Sequence, residues 1–276
     1  MSSHLTLLAS MVLALASGCD SPLAATRVRP VRPELTPEAP SAVAPTSDAP
    51  ALPTAEPGYH DLFVPGFGEA VVYVPSDPGP HTIVVATHGN YDRPEWQCVA
   101  WHRLTRERAV ILCPRGVARI DSPSADDIRF TYESQRAFNR EVDAALASLR
   151  HFYGGNITSA PIVYAGFSLG AIFGVGYLRD TSERVAAASL VEGGHTLWTS
   201  SAARAFASRG GRSIAFGCGQ AWCDRDARAA QARLRAAHID SEVGYAPGSG
   251  HSYIGAVADA LRPGFERLVA PALEVR

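Results

Sequence analysis

Pro161-Ile-Val-Tyr-Ala-Gly166-Phe167-Ser168-Leu169-Gly170-Ala-Ile-Phe-Gly174 is the stretch on which the fold turns. Its first five residues form an apolar, β-branched run suited to a buried strand, and the residues after Ser168 take up a helical period over 169–179. Gly166 and Gly170 stand two positions either side of Ser168. That spacing belongs to a sharp strand-to-helix turn in which a side chain at either glycine would strike the crossing strand or helix. Such a turn lifts a serine hydroxyl out of the packed interior and makes Ser168 a candidate nucleophile. The plainer alternative is a packing turn in which Ser168 caps the helix that follows.

Outward from this turn, strand patterns alternate with helical ones. Strands are expected over 61–64, 70–74, 82–87, 109–113, 161–165, 186–191, 213–216 and 241–245. Helices are expected over 95–108, 134–153, 169–179, 225–237 and 253–268, with one short helix at 200–208. Pro65-Gly66-Phe67-Gly68 between the first two strands suits an antiparallel hairpin. Later runs such as Ile83-Val-Val-Ala86 are continuously apolar, as strands covered by helices on both faces must be. The pattern predicts a doubly wound α/β fold with a mostly parallel sheet and an antiparallel N-terminal hairpin. Between 191 and 212 there is room for only the one short helix, so no large cap domain is expected.

From residue 59 onward the sequence resembles the α/β-hydrolase superfamily, and within it the compact esterases around the dienelactone hydrolases and the phospholipase/carboxylesterase group. The resemblance implies three further parts. Thr82-Ile-Val-Val-Ala-Thr-His88-Gly89-Asn90 ends in the His-Gly of an oxyanion loop, so the backbone N–H groups of Asn90 and Leu169 are the expected oxyanion donors. Val243-Gly-Tyr-Ala-Pro-Gly-Ser-Gly250-His251-Ser-Tyr253 supplies the general base, His251, on a loop of small residues. The orienting acid is expected in Gly217-Cys-Gly-Gln-Ala-Trp-Cys-Asp224-Arg-Asp226, with Asp224 preferred. Asp226 and Glu192 are the alternatives, and Asp224 could instead cap the next helix. His88 is read as structural. His60, His81, His102, His151 and His238 lack a catalytic context, and His195 after Glu192-Gly-Gly could line the pocket. Tyr91, Trp96, Trp198 and Trp222 are the candidate pocket aromatics. A serine, histidine and acid set needs neither a metal nor an organic cofactor, and the resemblance implies a small-molecule or polymeric carboxylic ester as substrate.

The two ends of the N-terminal region carry a different message. Residues 1–18 join a short polar start to the apolar Leu5–Ala16 and end in small residues before Cys19, which reads as an export signal. Leu15-Ala-Ser-Gly-Cys19 is similar to a bacterial lipobox, implying lipidation of Cys19, although no Lys or Arg precedes it. At about 12 residues the apolar run is too short to span a bilayer, so the expected membrane contact is a lipid anchor alone, with plain secretion as the alternative. Residues 19–57 are rich in Pro, Ala, Ser and Thr without helix or strand period, a linker rather than a fold, which leaves residues 58–276 as the globular domain.

Setting Cys19 aside leaves Cys98, Cys113, Cys218 and Cys223, an even number that allows three pairings. The short separation of Cys218 and Cys223 favours bridging them and leaves Cys98 to Cys113. With 25 basic against 27 acidic side chains, a net charge of −2, the chain is no broadly basic nucleic-acid binder. Its 46% hydrophobic and 19% charged content is that of a chain with a substantial core.

Overall fold

The computed structural model describes residues 53–274. The expected signal segment, Cys19 and nearly all of the proline-rich linker lie outside the described residues. The chain runs β1 (Gly58–Leu62), β2 (Ala70–Val74), β3 (Thr82–Thr87), α1 (Pro94–Thr105), β4 (Ala109–Cys113), β5 (Val117–Ala118), β6 (Phe130–Thr131), α2 (Gln135–Phe152), β7 (Ile162–Phe167) and α3 (Leu169–Asp180). It continues through β8 (Val185–Val191), α4 (Ser200–Ser208), β9 (Ser213–Cys218), α5 (Ala221–Ala236), β10 (Asp240–Tyr245) and α6 (Ala256–Leu268).

Eight strands form one sheet in the order β1-β2-β4-β3-β7-β8-β9-β10. β1 and β2 pair antiparallel, β2 runs antiparallel to β4, and the remaining pairs are parallel. This is the expected doubly wound sheet with its antiparallel start. The continuous apolar runs are explained by the period-2 pleat, which sends alternate residues to two separate cores. Ile83 and Val85 of β3, with Val110 and Leu112 of β4, face a core closed by Phe138, Leu146 and Leu149 of α2, Val175 of α3, Phe206 of α4 and Leu234 of α5. Val84, Ala86, Ile111 and Val163 face the other, closed by Trp101 and Leu104 of α1 and Leu261 and Phe265 of α6. At roughly 1.5–3 kcal/mol for each large apolar side chain taken from water, these two layers dominate what holds the fold.

Both disulfides form as the spacing suggested, Cys98 to Cys113 and Cys218 to Cys223. The first ties α1 to β4; the second closes the β9–α5 turn. Helix ends follow local chemistry: Pro94 opens α1, Ser134 Oγ accepts the Ala137 N–H at the start of α2, and Thr199 Oγ1 accepts the Ala202 N–H at the start of α4.

Three differences from the sequence reading bear on the site. β1 sits earlier than expected, because its register with β2 pairs Gly58 with Val74 and Leu62 with Ala70. α5 begins at Ala221 rather than Arg225, so Asp224 lies in its first turn and not in a loop. The two-residue strands β5 and β6 form an unexpected ribbon between β4 and α2, too short to show a period in sequence.

Candidate active site

Ser168 sits between β7 and α3 with φ 50° and ψ −114°, a conformation that costs free energy in any non-glycine residue. A Cβ on Gly166 would come 2.9 Å from the Ala171 nitrogen, and one on Gly170 would come 2.6 Å from the carbonyl oxygens of Thr87 and His88. Only glycine fits either position. The Ser168 N–H donates to Val191 O at 2.9 Å, which pins the turn to β8. Its hydroxyl makes no capping bond to α3. Instead Ser168 Oγ lies 2.8 Å from His251 Nε2.

His251 arrives on the loop after β10, its ring against Phe167 at 4.9 Å and its side chain 42% exposed. Its Nδ1 faces Glu192 Oε2 and Gln220 Oε1, each at 3.4 Å. Glu192 directly follows β8 in a left-handed conformation, φ 52°, with its side chain fully buried. One carboxylate oxygen accepts the N–H groups of Gly219 and Gln220 in the turn closed by the Cys218–Cys223 bridge. The other, Oε2, has no hydrogen-bond partner among the described residues and points to His251.

The carboxylate beside the imidazole is therefore Glu192, not Asp224. On α5, Asp224 pairs with Arg228 at 2.8 Å, and Asp226 pairs with Arg225 at 2.9 Å. The reason is the early start of α5, which carries both aspartates onto the helix and turns them to neighbouring arginines. The sequence did hold a signal for Glu192 in the two glycines after it. A Cβ on Gly193 would lie 2.4 Å from Ser168 O, and Gly194 has φ 74° with Ala171 O 2.5 Å from where a Cβ would stand. Glu192-Gly-Gly is thus a segment built to press against the serine turn.

The loop after β3 passes equally close, since a Cβ on Gly89 would be 3.2 Å from Ser168 Cβ. Asn90 follows it, and Leu169 is the first residue of α3, where backbone N–H groups have no carbonyl partner within the helix. Both expected donors are thus on segments adjoining the serine. His88 is fully buried, with each ring nitrogen 2.7 Å from a carbonyl oxygen, those of Gly89 and Arg115. Burial lowers its pKa below the usual imidazole value.

A residue the sequence reading passed over does most to hold these loops together. Asp92, 6% exposed, accepts from Gly89 N–H at 3.3 Å and Gln97 Nε2 at 3.1 Å through one oxygen. Its other oxygen accepts from Arg93 N–H at 2.8 Å and the Tyr253 hydroxyl at 3.3 Å. One carboxylate so joins the loop carrying Asn90, the start of α1, and the loop carrying His251.

Of the expected pocket aromatics, Tyr91, Trp96 and Trp222 are 38–42% exposed. Trp198 is not among them: it is 1% exposed and packs on Phe206 at 5.7 Å in the core under α4. His195 is buried against Trp222, their rings 5.3 Å apart, and burial lowers its pKa.

A parallel sheet flanked by helices on both faces, an antiparallel start, and a strained serine between strand and helix with a histidine from the last loop together define the α/β-hydrolase fold. The chain has that fold. No protein-family model and no curated protein matches its sequence. Among solved structures it is similar to a lipase in its open form, at 10% identity and a TM-score of 0.57 over 79% of this chain and 100% of that one. It is also similar to esterase PE8, at 14% identity and a TM-score of 0.53 over 76% and 100% of the two chains. A third is the dienelactone hydrolase from Anabaena variabilis, at 15% identity and a TM-score of 0.52 over 78% and 99%. At these identities the likeness is one of fold.

Proposed function

We propose that the protein is a serine hydrolase of carboxylic esters that works through an acyl-enzyme on Ser168. The observation that carries this reading is the placing of His251 between Glu192 Oε2, 3.4 Å from its Nδ1, and Ser168 Oγ, 2.8 Å from its Nε2, on a serine in a strained turn. In the proposed reaction Ser168 Oγ attacks the ester carbonyl carbon while His251 Nε2 takes its proton. Negative charge gathers on the carbonyl oxygen, where the N–H groups of Asn90 and Leu169 receive it. The C–O bond to the alcohol then breaks as His251 returns the proton to the leaving oxygen. Water repeats the sequence and frees the acid. Glu192 holds the imidazole with its Nδ1 proton inward and balances the imidazolium, the role first expected of Asp224.

Fluorophosphonate labelling of the folded protein, with mass spectrometry of the labelled peptide, tests the reading. Labelling confined to Ser168 and lost in Ser168→Ala supports it and opens a panel of esters, thioesters and peptides. No labelling would sink it in favour of a binding protein on a hydrolase fold.

We further propose that the protein is exported and held to a membrane through a lipid on Cys19. The lipobox-like Leu15–Cys19 and the two disulfides, which suit an oxidising compartment, support this. Cys19→Ser should move the protein from the membrane fraction to the soluble one, and unchanged partitioning would count against lipidation.

A further inference from the structure

One turn of the chain touches both the acid and the base. It runs from Cys218, the last residue of β9, to Cys223 in the first turn of α5, and a disulfide between residues five positions apart closes it. On one side its Gly219 and Gln220 N–H groups are donated to Glu192 Oε1. On the other it grips the loop that carries His251. Cys218 O accepts the Ala246 N–H at 2.8 Å, and a Cβ on Gly219 would collide with the carbonyl oxygen of Gly250, the residue before His251. The turn and that loop therefore meet backbone to backbone, where only glycine at 219 leaves room.

Gln220 stands at the N-cap of α5, where a short polar side chain would close the helix end, yet its side chain makes no capping hydrogen bond. Its Oε1 is instead 3.4 Å from His251 Nδ1. Glu192 Oε2 lies at the same distance from the same nitrogen and has no hydrogen-bond partner among the described residues. For Nε2 to take the Ser168 proton, Nδ1 must already carry the other ring proton. That single N–H has two oxygens before it, each farther away than the roughly 2.9 Å of one full N–H···O bond. The same tautomer orients the amide, since its oxygen and not its NH2 can face an N–H. A carboxylate at 220 would set a second negative charge against Glu192, whereas a carboxamide adds an acceptor without one.

Resting on the hydrolase reading above, we infer that Gln220 is a positioning residue that shares the Nδ1 proton of His251 with Glu192, and that the Cys218–Cys223 bridge is the clamp that holds both acceptors to that proton. Two acceptors for one N–H resist rotation of the ring better than one, and so keep Nε2 aimed at Ser168 Oγ while the proton crosses. The clamp bears on the proton transfer and not on substrate binding, so its loss belongs in kcat rather than KM.

The test uses the full-length protein and p-nitrophenyl butyrate, with rates taken per active site counted by fluorophosphonate. Histidine 15N NMR at about pH 8.5, assigned with His251→Ala, reads which ring nitrogen of His251 holds the proton. Gln220→Met keeps the length of the side chain and removes the acceptor. It should lower kcat about three- to tenfold, the scale of one neutral hydrogen bond, with KM within about twofold, and move the His251 signals toward a mixture of the two tautomers. A Cys218→Ser, Cys223→Ser double variant, which frees Gln220 and both Glu192 donors, should lose about 10- to 100-fold in kcat. The matching Cys98→Ser, Cys113→Ser variant should lose melting temperature yet keep kcat within about twofold. An unchanged kcat in Gln220→Met, or a fall with the His251 signals unmoved, would overturn the inference. Equal kcat in the two cysteine variants would overturn the clamp. A wild type that neither hydrolyses the ester nor takes the label would instead remove the hydrolase reading itself.

Discussion

At the carboxyl edge of the sheet Glu192, His251 and Ser168 form a line of carboxylate, imidazole and hydroxyl; at the amino edge Glu107, His102 and Tyr59 form a second. The second has the tighter contacts, with Glu107 Oε1 2.5 Å from His102 Nε2 and His102 Nδ1 2.8 Å from the Tyr59 hydroxyl. Its surroundings differ in kind. Glu107 also accepts from the Tyr73 hydroxyl at 2.5 Å and the Ser76 N–H at 2.9 Å, and the His102 ring lies stacked on Tyr73 at 3.8 Å. The carboxylate is thus shared among groups that lock α1 to the hairpin. Burial raises the Tyr59 phenol pKa above its usual value, which makes it a poorer nucleophile. Ser168, by contrast, is lifted on a strained turn beside the first N–H of α3 and the loop carrying Asn90. On the proposed reading, what separates the two relays is that only the first ends on a hydroxyl with backbone N–H groups adjoining it, where attack would create charge.

The bluntest way to break this contrast is to remove each terminal hydroxyl. Ser168→Ala should lower ester hydrolysis at least about a thousandfold with the fold intact. Tyr59→Phe should leave it within about twofold, since the phenol touches nothing at the carboxyl edge. Equal losses measured on a p-nitrophenyl ester would show that the amino-edge relay takes part. Next comes the acid. Glu192→Gln should cost about 10²- to 10⁴-fold in kcat, because the amide no longer balances the imidazolium and disturbs the inward Nδ1 proton. Asp224→Asn should change kcat less than about threefold, and the reverse ranking would return the role to Asp224.

A smaller loss is expected at Asp92, which is outside both relays. Its carboxylate accepts from four donors, and Asp92→Asn sets an amide NH2 against two of them. Loosening the Gly89 loop or the Tyr253 loop, according to which carboxylate oxygen the NH2 replaces, should lower kcat about 10- to 100-fold while KM changes little. Affinity for a trifluoromethyl ketone, which forms an oxyanion on Ser168, should fall in step. Loss of melting temperature with unchanged inhibitor affinity per active site would reduce Asp92 to a structural role.

The contrast also shows where sequence stops being informative. The Gly166–Gly170 turn, the hairpin, β3, β4 and the two disulfides were legible because each depends on neighbours in the chain: period, turn residues or short cysteine spacing. Glu192 was not, because its partners Gly219, Gln220 and His251 come from two later loops. Asp224 looked better on sequence, one helix and one strand before His251. Its claim failed on four residues of helix: α5 starts at Ala221, where the stapled turn delivers its Gly219 and Gln220 N–H groups to Glu192. Trp198 shows the same limit, since nothing in a single tryptophan distinguishes a pocket wall from a core filled against Phe206.

The gentlest test falls on the amino-edge relay and asks by pH what its carboxylate holds together. Hydrogen bonds from Tyr73 and Ser76, with His102, hold the Glu107 pKa down to about 2 against the burial that would raise it. In the unfolded chain a glutamate titrates near about 4.3. A depressed pKa in the folded state means that Glu107 adds stability above the unfolded value, and that the gain drains away as pH falls through the window down to about 2. Glu107→Gln lacks this titration. The urea midpoint of wild type should therefore exceed that of Glu107→Gln between pH 7 and about pH 5, where the carboxylate is charged. The margin should shrink steadily below that. A margin independent of pH down to 2.5 would mean the carboxylate's charge is not what holds α1 to the hairpin, and that stacking of His102 on Tyr73 suffices.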